Sequence, residues 1–565
     1  MPPMPDKAKA RIISVIFPVG LYILGALVFF RWQIFSRFDL VFGDRGDTRF
    51  VAFIHEHLYR WLAGRSELLS PPFFFDQLRT LGYSDAFLLN EFFYAPMRLL
   101  GADALLTLTL TSLILSALCY FFFFRFLRAL NVSPPLAALA ALIFTFPNNL
   151  YLVSVHFQLF TIYYVPVVIY CGLRAVVDLP RRPLRAYALA GFAAGLCGLL
   201  FSTGYYIAWF FGLALLIFAP VAVCLAWPEV RAWWSGQPRR VIALSAVAAC
   251  SFIAALVPFA AIYAPVLALG FGRTFATYLH DAPVPSDIVN VGMANLVWSG
   301  AVRALHLIPD HRLGDVERFI ALTPSVMALV LASAVVAFRP RFWPDDSVGR
   351  ISRAFVIASA GVCVLLFLLV VKVGDFSLFR VLHAVMPGAN AIRDGYRAML
   401  VANLFAVTAI ALTFERAIGL ALQEPETFKR VGRLAGYAAL LLLAAIEQVN
   451  LAQRAELSRR FEREHLASLR AASRACKSFY AADEKRFAPY EIQIDAMAIA
   501  LVRHLPTVNG YSGLFPPGWD FFDTKAVDYE RRVMRWAAQR GIADGLCRVD
   551  IEKGTWTRVI GNVTQ

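Results

Sequence analysis

Runs of about twenty apolar residues recur along this chain, and nothing else in it constrains the fold so strongly. A helix that crosses the hydrocarbon core of a bilayer needs roughly 20 mostly apolar residues. About eleven stretches meet that length, near 12–30, 104–124, 135–152, 156–177, 186–202, 205–226, 241–269, 320–338, 354–372, 398–415 and 434–450. Hydrophobic residues make up 59% of the 565, and charged residues only 16%. Average soluble domains carry about 25% charge. A soluble chain this long would divide into several domains, each needing a polar surface, and this composition cannot supply them. Lipid must therefore cover much of the molecule.

The net charge of +15 does not point to nucleic acid, because the basic residues form short clusters between apolar runs and no continuous basic face follows a phosphate backbone. Their distribution follows the excess of Lys and Arg in cytoplasmic loops. With a cytoplasmic N-terminus, the loops after even-numbered helices hold Arg125 and Arg128, then Arg174, Arg181, Arg182 and Arg185. The next hold Arg231, Arg239 and Arg240, then Arg339, Arg341, Arg350 and Arg353, then Arg416, Lys429, Arg430 and Arg433. Each of these loops is basic. Lys7, Lys9 and Arg11 precede the first apolar run, which reads as an uncleaved helix because no small-residue cleavage site follows it. An odd number of spans puts the C-terminus outside, together with outer loops 31–103, 270–319 and 373–397.

The expected architecture is thus an all-α polytopic bundle of about 11 transmembrane helices (residues 1–450) with a small extracytoplasmic α/β domain at 451–565. Within that tail, 452–473 has helical character and 525–540 carries Val527, Tyr529, Val533 and Trp536 at helical spacing. Residues 546–551 and 555–560 read as two strands around a turn at Lys553-Gly554. Cys476 and Cys547 would face an oxidising compartment, which makes them candidates for a disulfide, or else two unpaired thiols. The other six cysteines lie in apolar segments as small buried hydrophobes. No internal repeat is visible, which counts against transporter folds built from repeated halves.

Polar chemistry concentrates in the outer loops. The first reads Gly43-Asp44-Arg45-Gly46-Asp47-Thr48-Arg49-Phe50, followed by His55-Glu56-His57 and Ser84-Asp85. A carboxylate against apolar walls can serve as a general base, and Asp can equally cap a helix. Apolar residues Phe50, Phe53, Ile54 and Leu58 fall at helical spacing, which predicts an amphipathic helix over 48–59 on the membrane surface. His55 and His57 do not form the His-Glu-x-x-His zinc pattern, so a divalent metal stays possible but unsupported, and the sequence points to no particular cofactor. His156 and Gln158 follow Pro147-Asn148-Asn149 and either line an outward cavity or bond a helix end. Asp281, Asp287, Asp310, His311 and Glu317 are scattered over 270–319. Arg393 and Arg397 lie in an outer loop, against the charge rule. There they suit bidentate phosphate binding or snorkel to the headgroups.

Together these features resemble the GT-C class of polytopic glycosyltransferases, along almost the whole chain. The nearest likeness is to a bacterial subgroup of GT-C-like membrane proteins. It is carried by Gly43-Asp44 through Asp47-x-x-Phe50, Glu56-His57, Ser84-Asp85, the Arg393 and Arg397 segment, and Pro506-Thr507-Val508-Asn509-Gly510-Tyr511-Ser512-Gly513. The resemblance implies an inverting transferase that moves a sugar from a polyprenyl-phosphate carrier to an acceptor hydroxyl on a glycan, lipid or protein. The reaction would take place on the periplasmic side of a bacterial inner membrane. It implies a first-loop acid as base, Asp47 or Asp44. The family's second acid is replaced by Thr48, which leaves that choice open. By the same resemblance Asp85, Glu317 and Glu56 would orient the acceptor, while Arg393, Arg397 and His156 would bind the donor phosphate. The competing readings are a polysaccharide polymerase or ligase, a lipid-linked glycan transporter, and a non-catalytic envelope assembly protein. Helix interiors almost free of ionisable groups weigh against transport. Glu447 is expected near water at the outer end of the last span.

Overall fold

The computed structural model describes residues 12–309, 312, 318–319, 322–482 and 486–559. Lys7, Lys9, Arg11, Asp310, His311, Glu317 and the tail beyond 559 lie outside them. The chain runs through α1 (Ser14–Phe29), β1 (Leu40–Val41), α2 (Asp47–Leu62) and α3 (Glu91–Leu99) to the first long apolar helix, α4 (Ala104–Ala129). There follow α5 (Pro134–Leu152), α6 (Phe157–Asp178), α7 (Pro183–Leu200) and α8 (Tyr205–Leu225). The short α9 (Trp227–Ser235) leads into α10 (Pro238–Ala255), α11 (Val257–Leu267), α12 (Pro324–Ala337) and α13 (Ser347–Val370). A small hairpin, β2 (Lys372–Val373) and β3 (Phe376–Ser377), precedes α14 (Phe379–Val385), α15 (Gly395–Leu422) and α16 (Thr427–Ile446). Among the described residues eight helices are long and apolar enough to cross a membrane: α4 to α8, α10, α13 and α15.

Each predicted apolar run is mainly helical in its described residues, with differences in detail, and the run at 135–152 parts at Phe146-Pro147. The run at 241–269 is two helices, α10 and α11, that part at Leu256. Pro258 follows the break, and proline removes a helical N–H and clashes with the preceding turn. The run at 434–450 belongs to α16, whose first turns hold Lys429, Arg430 and Arg433, so its apolar part is short. Polar side chains inside α4 satisfy themselves. Thr107, Thr111 and Ser112 donate to the carbonyl four residues earlier, as helix interiors in lipid require.

The connecting segments sort cleanly to two ends. At one end Arg31 Nη2 donates to the carbonyls of Asn450 (2.7 Å) and Ala452 (3.2 Å). There too Tyr205 Oη donates to Gly388 O (3.0 Å), and Arg273 N donates to Asn390 O (3.0 Å). The opposite end joins Arg240 to Pro180 O, Ser133 N to Glu415 and Arg416 to Phe342 O. The first loop, the 270s, the 390s and the C-terminal segment therefore share one end, called here the capped end.

After α16 come β4 (Leu457–Ser458), α17 (Arg459–Ser468), β5 (Ser478–Ala482), α18 (Pro489–Arg503), α19 (Tyr529–Gln539), β6 (Leu546–Asp550) and β7 (Thr555–Arg558). The sheet order is β5-β6-β7, with β5 parallel and β7 antiparallel to β6. Cys476 and Cys547 are joined by a disulfide, Cα–Cα 5.6 Å. β4 pairs antiparallel with β1, Leu40 opposite Ser458. This explains why the helix expected over 452–473 is only Arg459–Ser468. Gly43 N donates to Arg454 O (2.7 Å) and Leu457 N to Gly43 O (3.1 Å), so the first loop takes the backbone groups that a helix would use. Ser458 then starts α17 by accepting from Phe461 N at 3.2 Å.

Two further expectations change. Helix α2 does not lie on a membrane surface with one face in water. Its residues from Thr48 through His55 are all buried, as are His57 and Leu58, because α18 packs on one side and α3 and α4 on the other. Glu447 is fully buried rather than near water. It accepts from the backbone N–H groups of Ser325 and Val326, each at 3.0 Å, and from Trp298 Nε1 at 2.5 Å. The unpaired amides at the start of α12 need an acceptor, and Glu447 supplies it.

Candidate active site

Asp47 is the first residue of α2, where the orphan N–H groups of a helix favour negative charge. The residues on either side of it fix its position. Arg45 and Arg49 both reach across to the C-terminal segment. Arg49 Nε lies 2.8 Å from Glu462 Oε2, and its Nη2 bonds Asp495. Arg45 contacts Glu462 at 2.8 Å and Asp495 at 3.2 Å. His465 Nε2 donates to the other oxygen of Asp495 at 3.1 Å. Both ends of the sequence thus meet at the start of α2.

Asp47 itself is bracketed by two donors. His156 Nδ1, at the junction of α5 and α6, donates to Oδ2 at 2.8 Å. Tyr511 Oη, from the C-terminal segment, donates to Oδ1 at 2.8 Å. The carboxylate is 27% exposed, open enough for a substrate hydroxyl to reach it. Burial alone would raise its pKa. The hydrogen bond and charge of His156, the Tyr511 hydroxyl and the charge of Arg397 outweigh burial and hold it below the usual carboxylate value. Asp47 is therefore ionised at neutral pH. Burial and the neighbouring Asp47 charge both raise the Tyr511 phenol, which keeps it a proton donor.

A cationic group faces this carboxylate from the start of α15 and the loop before it. Arg397 is almost fully buried, with Nη2 3.0 Å from Asp394 Oδ2 and its guanidinium 4.4 Å from the centre of the Tyr206 ring. Arg393 lies on the other oxygen of Asp394 at 3.0 Å and near Asp281 at 3.5 Å, and it is 39% exposed. Tyr206 organises the group. Its hydroxyl accepts from Arg393 N (2.9 Å) and from Arg273 Nη1 (3.0 Å). Asp85 caps α8 by accepting from Tyr205 N at 2.9 Å. Burial raises its pKa, against the opposing charges of Arg397 and Arg273.

His156 and Arg397 act on Asp47 itself, Asp44 and Arg393 on the Tyr511 that bonds it, and Asp85 on Arg397, all at the capped end. Asp44 is exposed and accepts from Gly46 N at 2.8 Å, a local turn. His156 bonds the acid itself. Glu56 points away, held by Tyr94 Oη at 2.7 Å and by Arg98. His55 is likewise taken, by Glu91 at 2.5 Å, and His57 by Leu68 O at 2.9 Å. Glu317 lies outside the described residues. Tyr511, Tyr206 and Arg273 enter the site without a signal in the local sequence. Tyr511 does lie in the tail stretch that carries the family resemblance. Among the described residues no group of three His, Cys, Asp or Glu could hold a metal ion.

No family model and no curated protein matches the chain. Among solved structures it is similar to the apo oligosaccharyltransferase of Archaeoglobus fulgidus, with TM-score 0.49, 11% identity, and 95% of this chain over 70% of that one. The same organism's oligosaccharyltransferase AglB in complex with an inhibitory peptide and a dolichol-phosphate gives 0.48, 12%, 94% and 69%. Arabinofuranosyltransferase AftD from Mycobacteria gives 0.48 and 16%, with 88% of this chain spanning 32% of that protein. Likenesses at this level concern the path of the chain and carry no chemistry.

Proposed function

We propose that the chain is an inverting GT-C-type glycosyltransferase that moves a sugar from a polyprenyl-phosphate carrier to an acceptor hydroxyl. The observation that carries this reading is Asp47: an ionised, partly open carboxylate held by His156 and Tyr511, with Arg397 at the start of α15 acting on its charge. The acceptor hydroxyl gives its proton to Asp47 as its oxygen bonds the anomeric carbon. The bond from that carbon to the phosphate oxygen breaks, and the electron pair leaves with the phosphate. Inversion follows from attack opposite the leaving group. His156 Nδ1–H, already donating to Oδ2, holds the carboxylate in place while the acceptor proton is taken up on one of its remaining lone pairs. Negative charge builds on the departing phosphate, where fixed cations in a site shielded from water count most. Arg393, Arg397 and Arg273 are the proposed cations. Arg273 has no carboxylate partner among the described residues. Asp85, beside Arg397, would orient the acceptor.

The capped end is proposed to be the periplasmic side of a bacterial inner membrane, with 1–450 as the membrane module and 451–565 as the outer domain. Two features support this: the basic loops at the opposite end, and the Cys476–Cys547 disulfide, which persists in oxidising compartments.

The test compares Asp47→Asn and Asp44→Asn, each in a deletion strain and as protein reconstituted in nanodiscs. Envelope glycans and glycolipids are profiled, and sugar transfer from defined polyprenyl-phosphate sugars is measured. Loss of a general base predicts a fall of about 10²- to 10⁴-fold for Asp47→Asn and little change for Asp44→Asn. Unchanged glycans in Asp47→Asn together with no sugar transfer by the wild-type protein would favour the assembly-protein reading and overturn this one, and full transfer by Asp47→Asn would overturn Asp47 as the base.

A further inference from the structure

We infer that the opposite end of the molecule carries a site for an anionic phospholipid headgroup, independent of the transferase reading. A groove of about 680 Å³ opens between the turn after α6, α9 and the start of α10, lined by Pro180, Trp233, Gln237, Arg239 and Arg240. Its walls are fixed. Arg240 Nη1 donates to Pro180 O at 2.9 Å, and Trp233 packs on the small apolar cluster of Leu179, Val241 and Leu244.

The charge around the groove is uncompensated. Arg181, Arg182, Arg231, Arg239 and Arg240 come from three adjacent elements, and none has a carboxylate partner among the described residues. The two nearby acids are already taken, Asp178 by Arg174 and Arg185, and Glu229 by Arg350. Arg239 and Arg240 line the groove itself, and the other three stand exposed on the elements that border it, so the groove offers an anion uncompensated positive charge. Its position says which anion. α8 and α10 are both long and apolar enough to span, so α9 between them lies at a bilayer surface. It presents Trp227 and Trp234, 54% and 48% exposed, and tryptophan favours the headgroup level. A phosphodiester headgroup seated on Arg239 and Arg240, with its acyl chains running down the apolar flank of α10, satisfies both the charge and the aromatic belt.

Full-length protein in nanodiscs of mixed dioleoylphosphatidylglycerol and dioleoylphosphatidylcholine tests this, with native mass spectrometry reading the lipid retained. The wild type should keep phosphatidylglycerol about tenfold or more in preference to phosphatidylcholine. The Arg239→Gln/Arg240→Gln double variant should lose most of that preference, and Arg339→Gln/Arg341→Gln should keep it. Free glycerol 3-phosphate at millimolar concentration should not compete. Absence of a preference, or a preference that survives the double variant, overturns the site. Full competition by glycerol 3-phosphate overturns the lipid assignment in favour of a soluble phosphate.

Discussion

Replacing Asp495 by Asn removes the charge at the centre of the clamp that holds α2. The side chain is fully buried, accepts from Arg45, Arg49 and His465, and needs no discount for solvent. Burial alone would raise its pKa. Arg49, His465 and Arg45 overcome burial and hold it at about 2, against an ordinary 3.8. At about 1.36 kcal/mol per unit, the difference contributes roughly 2 kcal/mol. Its sign is that of a depressed carboxylate: present in full above the unfolded value near 3.8, and lost as the pH falls through about 2. At pH 7 the variant should therefore open the α2–α18 contact more often by a factor of roughly thirty. Amide hydrogen exchange over α18, read by mass spectrometry in detergent micelles, measures that opening directly. Wild-type protection, corrected for intrinsic exchange, should be flat from pH 7 to 4 and fall below it, while the variant should show no such step. A change under about threefold at pH 7 would refute the reasoning, because the clamp would then carry no net energy.

Tyr511→Phe removes a hydrogen bond onto a charged acceptor, worth about 1.5–3 kcal/mol, so the Asp47 pKa should rise. The acid limb of the transfer rate should move up by the same amount, and an unmoved limb counts against Asp47 as the base. Cys476→Ser opens a covalent loop that spans 71 residues, for which chain entropy gives about 4 kcal/mol. Its urea midpoint, followed by tryptophan fluorescence, should fall, and an equal midpoint would show that the bond leaves stability unchanged.

The membrane helices were legible because hydropathy and length are local properties. A run such as 104–124 or 205–226 must be helical in lipid whatever lies around it, since no water is there to satisfy its backbone. The alternation of basic loops likewise placed 31–103, 373–397 and the tail on one face, and the first-loop acids stood out there against an apolar background. Contacts across the fold were not legible. Asp44 and Asp47 look alike in sequence, and they separate only because one turns to its own backbone while the other meets His156 and a tyrosine 464 residues away. Glu56 reads as a site residue until Arg98 and Tyr94 are seen to hold it. Residues 452–458 read as helix, the start of the run expected over 452–473, until Gly43 claims the hydrogen bonds of Arg454, Glu456 and Leu457. Hydrogen bonds and ion pairs depend on ångström distances between segments far apart in the chain. Burial along the chain selects which segments fold together, and their packing then selects which polar atoms touch.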